Sequence, residues 1–128
     1  MHRLGLLLLL MCAMTGSVRA ADAPEKFVVF FQEWSAAIDD QAQDVVTHAA
    51  DWVKSHPGNV ARVSGFASPT GSRQANVLMA DLRAQRVVDQ LQADGVDGKR
   101  IKQRGRGPVP FAISEQESRR VEITIGRR

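Results

Sequence analysis

The sequence predicts an α+β fold, a two-layer sandwich in which two helices pack on a mixed sheet in the order β-α-β-α-β-β. Three observations lead there. Phe27-Val28-Val29-Phe30-Phe31 is a compact run of β-forming residues with the length and character of a buried strand. Two later segments, Ala42 to Val53 and Val77 to Leu91, repeat small and apolar residues at steps of three and four, the period of one helix face. Near the end, Val121, Ile123 and Ile125 alternate with Glu122 and Thr124, as in a strand with one face buried. Helices that lie between strands must cross over the sheet, which puts them on its face. With 128 residues the chain has room for one such domain.

Taken in order, the chain opens on a leader. His2 and Arg3 make a short basic region, Leu4 to Met14 form an apolar run, and Val18-Arg19-Ala20 presents small residues where a signal peptidase reads. Residues 1–20 are therefore a secretory signal, since the run falls short of the ~20 apolar residues needed to span a membrane. Met11 before Cys12 is not the small residue that lipid attachment at that cysteine wants. Removing the leader takes away Arg3, Arg19 and the only cysteine. Fifteen basic side chains then face fourteen acidic ones, so no excess of positive charge points to nucleic acid. Residues 21–26 are a short lead-in with Pro24, and residues 27–128 form the domain.

Within the domain, Asp39-Asp40 precede the first helix, where unpaired N–H groups and the positive dipole end favour carboxylates. Its stripe is Ala42, Val45, Val46, Ala49 and Val53, and His56-Pro57-Gly58 stops it. Val60 to Phe66 is the second strand, followed by the loop Ala67 to Ser72. A long helix runs from Arg73 to Ala93 on the stripe Val77, Ala80, Ala84, Val87, Val88 and Leu91, closed by Asp94-Gly95. Ile101 to Arg104 is a brief third strand before a turn at Gly105-Arg106-Gly107-Pro108, and the final strand follows.

Catalytic patterns fail one by one. His48 and His56 lack metal-ligand spacing. Ser68 lacks the close flanking glycines of a nucleophile elbow. Five residues rather than four separate Gly65 from Gly71, and Arg73 does not stand at the lysine position of a phosphate loop. Gly105-x-Gly107 leads into proline rather than a helix. No enzyme, cofactor or metal is expected. What remains is a binding surface: the loop after the second strand opens on a helix N-terminus, Arg83 lies nearly three turns along, and Arg119-Arg120 stand at the entrance of the last strand. Strand alternation sends these two arginines to opposite faces, so at most one joins Arg83. A convergent pair would suit a carboxylate ligand, which guanidinium binds bidentately. Surface arginines bathed in solvent are the plainer reading of the same residues.

From Val28 to Ile125 the sequence resembles the OmpA-like, peptidoglycan-associated domain. The resemblance is carried by Val29-Phe30-Phe31 with Ser35 to Ile38, by Val63-Ser64-Gly65-Phe66, and by Gly71-Ser72, Asn76, Met79, Arg83-Ala84, Val87, Leu91 and Gly95-Val96. It closes on Gly105-Arg106-Gly107 and on Ser118-Arg119-Arg120-Val121-Glu122-Ile123. It implies an OmpA-like sandwich in the periplasm of a Gram-negative cell, associated with the outer membrane or the cell wall. The domain would bind the diaminopimelate stem peptide of peptidoglycan without covalent chemistry. The helix arginine that meets the ligand carboxylate corresponds to Arg83. Asn76 corresponds to an asparagine that orders the loop, Thr70 belongs to the loop whose backbone assists, and Arg120 is taken as the supporting arginine. The aspartate that meets the ligand ammonium has no counterpart, because Ser68 stands in its place; Ser118 likewise replaces an asparagine. A second reading keeps the fold and turns its surface to a protein partner in the cell envelope. Leu78 and Leu82, one turn apart and off the main stripe, would then form the contact.

Overall fold

The computed structural model describes residues 23–108 and 118–128. The expected leader, residues 1–20, lies outside them. Strand β1 (Glu25–Phe30) leads to helix α1 (Asp40–Ser55), strand β2 (Asn59–Ala67), helix α2 (Arg73–Ala93), strand β3 (Ile101–Pro108) and strand β4 (Arg120–Arg127). The sheet order is β1-β4-β2-β3. β4 runs antiparallel to both β1 and β2, while β2 and β3, joined through α2, are parallel. The last strand is therefore central, and its alternation shows why: Val121, Ile123 and Ile125 are buried against the helices while their neighbours are not.

Both helices start where their caps dictate. Asp39 is extended, and its Oδ1 accepts from the Ala42 N–H at 2.8 Å. The Ser72 hydroxyl does the same for Ala75 at 3.3 Å. Such caps satisfy donors that have no partner inside the helix, worth about 1 kcal/mol each. The far end of α1 is closed from a distance. Arg100 donates to the carbonyls of Val53, His56 and Asn59 at 2.6, 2.9 and 3.0 Å, which pins the start of β3 to the helix end. α2 ends at Asp94, with Gly95 at φ +98 and the Val96 N–H returning to the Leu91 carbonyl at 3.0 Å. Between the layers lies one apolar cluster, which includes Val29, Phe31, Val46, Val53, Val63, Ala84, Val87, Leu91, Val121, Ile123 and Ile125.

Three local expectations need correction. β1 begins at Glu25, inside the expected lead-in, because Glu25 and Lys26 pair with Ile125 and Thr124 of the central strand. Val77 is exposed, and the buried face of α2 instead carries the polar residues Asn76 and Arg83. The glycines at 105 and 107 make no turn: β3 continues through them to Pro108. Gly105 pairs with Gly65 and Gly107 with Phe66, so one extra residue, Arg106, is accommodated in a bulge. The glycines serve proximity here. A Cβ at Gly65 would run into the backbone carbonyl of Ala80, and one at Gly105 into the side chain of Asp81. α2 lies almost on the sheet at that point, and only glycine leaves room.

Candidate functional site

The β2–α2 loop, the inner face of α2, the β1–α1 loop and the entrance of β4 enclose a cleft of about 130 Å³. Glu33 and Trp34 line it from the β1–α1 loop, and Ser68, Thr70 and Gly71 from the loop after β2. Asn76, Met79 and Arg83 come from α2, and Arg119 from the entrance of β4.

Asn76 and Arg83 reach it because they are seven residues apart, two helical turns, on the face of α2 that also buries Ala80, Ala84 and Val87. Asn76 is 4% exposed and donates from Nδ2 to the Thr70 carbonyl at 2.7 Å, fixing the loop over the helix N-terminus. Within that loop the Ser68 hydroxyl donates to Thr70 Oγ1 at 3.0 Å and accepts from the Thr70 N–H at 3.2 Å. Ser68 thus spends its hydroxyl on holding its own loop and brings no charge to the cleft.

Arg83 is 1% exposed and forms part of the cleft wall. Its Nε–H donates to the Ser35 carbonyl at 2.8 Å and Nη2 to the Gln32 carbonyl at 3.0 Å, with the guanidinium carbon 5.5 Å from the Phe31 ring centre. Nη1 has no hydrogen-bond partner among the described residues and is not sealed from solvent. No carboxylate pairs with this guanidinium among the described residues. Burial, and then the nearby charge of Arg119, bring its pKa down from the ordinary guanidinium value to about 10, so it is still charged at neutral pH. A buried cation without a counterion is costly, and an anion arriving in the cleft relieves that cost.

The arginine pair separates as alternation requires, with a specific outcome. Arg119 lines the cleft, and its Nε–H donates to the Phe31 carbonyl at 3.4 Å. Arg120, the one taken for the site from the sequence, stacks its guanidinium over Phe66 at 4.2 Å and pairs with Glu122 at 3.3 Å. The structure therefore brings Ser68, Thr70, Asn76 and Arg83 together and exchanges Arg120 for Arg119. Glu33 and Trp34 escaped the sequence reading because no periodicity marks a loop residue. They fall between the two pieces, Val29 to Phe31 and Ser35 to Ile38, that carry the resemblance. Leu78 and Leu82 lie on the outer face of α2, 62% and 47% exposed, away from the cleft lining.

Ser118 is buried at 0% exposure, and its Oγ has no hydrogen-bond partner among the described residues. A sealed hydroxyl left unpaired costs about 1–3 kcal/mol. Ser118→Ala should therefore stabilise the domain by about 1 kcal/mol, raising Tm by roughly 4–8 °C in a domain of this size. A thermal melt followed by circular dichroism checks this, and a lower Tm would mean the hydroxyl has a role.

Residues 30–123 match the model of the OmpA family, and the chain belongs to that family. It is 32% identical over 103 residues to the probable lipoprotein YiaD of Escherichia coli, covering 76% of this chain and 47% of that one. It is 28% identical over 104 residues to the peptidoglycan-associated lipoprotein of Agrobacterium fabrum, covering 77% and 59%. To the peptidoglycan-binding protein ArfA of Mycobacterium tuberculosis it is 33% identical over 88 residues, covering 64% and 27%. The chain thus spans about half the length, or less, of these curated relatives. Among solved structures, the peptidoglycan-associated lipoprotein of Burkholderia pseudomallei superposes with a TM-score of 0.72 at 24% identity, covering 77% of this chain and 89% of that one. The OmpA-like domain of FopA1 from Francisella tularensis gives 0.73 at 19%, covering 81% and 73%. Both confirm two helices on a four-stranded mixed sheet. No described helix is long and apolar enough to cross a membrane.

Proposed function

We propose that this chain is a non-catalytic module of the bacterial cell envelope that grips peptidoglycan in the periplasm, at the cell wall or outer membrane. Its ligand is the stem peptide, bound without covalent chemistry through the free ammonium and carboxylate of diaminopimelate. One observation carries the reading: a buried guanidinium, Arg83, borders a cleft with a donor to spare, and no carboxylate is paired with it among the described residues. Arg119 adds a second positive group to the same wall, and the loop of Ser68 and Thr70, held by Asn76, frames the mouth. The names of the relatives in Agrobacterium and Mycobacterium point the same way.

Recognition is altered by Ser68, which stands where the family resemblance puts an aspartate. Losing a charged partner from such a site costs about 2–5 kcal/mol of binding. Sedimentation with purified sacculi at low salt tests the proposal. The native chain should pellet, and Ser68→Asp should pellet at least about tenfold more tightly. If both stay in the supernatant, the cell-wall reading is wrong. The exposure of Leu78 and Leu82 favours a second reading, in which the outer face of α2 meets a protein partner of the envelope.

A further inference from the structure

The cleft contains a charge that the Ser68 substitution does not account for. Among the described residues that line it, Glu33 is the one carboxylate, and it lies on a different loop from Ser68. It has no hydrogen bond or ion pair among the described residues, although two guanidinium groups line the same cleft. The loop that presents it is tied down on both sides. Arg83 holds the carbonyls of Gln32 and Ser35, the residues that bracket Glu33 and Trp34, and the Phe31 N–H donates to the Arg119 carbonyl at 3.0 Å. The Ser35 N–H closes a turn on the Gln32 carbonyl at 3.2 Å, and in that turn Trp34 sits at φ +51. That backbone region suits glycine, and a bulky residue persists there only where its surroundings fix it. Trp34 is nevertheless 57% exposed and lines the cleft beside Glu33.

A site built for a simple anion would gain nothing from this arrangement. A carboxylate that shares a cleft with two guanidinium groups repels a second carboxylate unless the ligand also carries a cation. An indole in the same wall suits that cation too, since ammonium groups are drawn to aromatic faces. We propose that Glu33 supplies the negative charge that Ser68 does not, and that the cleft selects a zwitterionic amino-acid end over a plain carboxylate: carboxylate to Arg83 and Arg119, ammonium to Glu33 and Trp34. This rests on the peptidoglycan reading given above and assigns its ammonium contact to a new residue on another loop.

Titration followed by two-dimensional amide NMR separates the two levels of the argument. The probes are meso-diaminopimelate and pimelate, which share a carbon skeleton and both carboxylates and differ in the amino groups. The native chain should bind diaminopimelate about tenfold or more tightly than pimelate. Glu33→Gln should lose that preference while still binding pimelate, and Glu33→Asp should keep part of it. Because Glu33 is exposed, the spectra of the variants also report directly whether the fold is intact. If the native chain shows the preference and Glu33→Gln retains it, the assignment of Glu33 is wrong and the peptidoglycan reading stands. Equal binding of both probes by the native chain overturns ammonium selection altogether. If neither probe shifts any resonance, the cell-wall reading itself falls, and the role of Glu33 with it.

Discussion

Arg83→Ala is expected to abolish sedimentation with sacculi, a loss greater than about thirtyfold, while the domain still folds. The two effects differ because the guanidinium has opposing consequences for stability. It satisfies the carbonyls of Ser35 and Gln32 at 2.8 and 3.0 Å, and charged hydrogen bonds of this kind contribute about 1.5–3 kcal/mol each. Against that stands the cost of holding a cation in a buried place beside Arg119, which its lowered pKa records. Below about pH 10 the folded chain keeps this charge in a place that disfavours it more than water does, so its burial subtracts from stability across the physiological range. Removing the side chain gives up the bonds and removes the penalty together, leaving a net loss of about 1–3 kcal/mol. Binding has no such compensation, since Nη1 is a donor with no partner among the described residues. Arg83→Lys sharpens the test: it keeps the charge but cannot bridge two carbonyls and a ligand at once, so binding should fall nearly as far. Variants that pellet like the native chain would show that the cell wall is held elsewhere.

The same residue shows what could and could not be read from the sequence. α2 was legible from Arg73 to Ala93 because Ala80, Ala84, Val87, Val88 and Leu91 recur at helical spacing and Asp94-Gly95 is a stop signal acting on its own neighbours. β4 was legible because Val121, Ile123 and Ile125 alternate whatever they pack against. Asn76 and Arg83 carried a clue that a search for apolar stripes passes over: two polar residues at helical spacing on the face that also holds Ala80, Ala84 and Val87. Sequence alternation could say that Arg119 and Arg120 part company, but only the register with β1 and β2 decides which one meets the cleft. Glu33 and Trp34 were out of reach, because their place in the cleft is set by a side chain about fifty residues away. The glycines of β3 misled for a related reason. Locally Gly105-x-Gly-Pro means a turn, and its real cause, a helix lying on the strand, is tertiary.

That close approach underlies the largest expected loss of stability. At Gly65 a new methyl group would enter the space of the Ala80 backbone carbonyl, with the Ala84 Cβ 3.2 Å away. Neither can swing aside, so the helix itself has to lift. Overpacking of a fitted core costs about 1–3 kcal/mol, and a clash of backbone with backbone falls at or above the top of that range. Gly65→Ala should therefore lose about 3 kcal/mol or more, lowering Tm by at least roughly 12 °C. Gly105→Ala meets the Asp81 side chain instead, which can rotate toward solvent because Asp81 is exposed, so its loss should be clearly smaller. The ranking is the test, read from paired thermal melts: if Gly105→Ala is the more damaging, the contact between α2 and β2 is not what sets the spacing. The consequence reaches the site as well. Ala80 sits between Asn76 and Arg83 on α2, so lifting the helix at Gly65 moves the guanidinium away from the carbonyls of the β1–α1 loop and loosens the clamp on Glu33. Gly65→Ala should accordingly weaken peptidoglycan binding at temperatures where the variant is still fully folded.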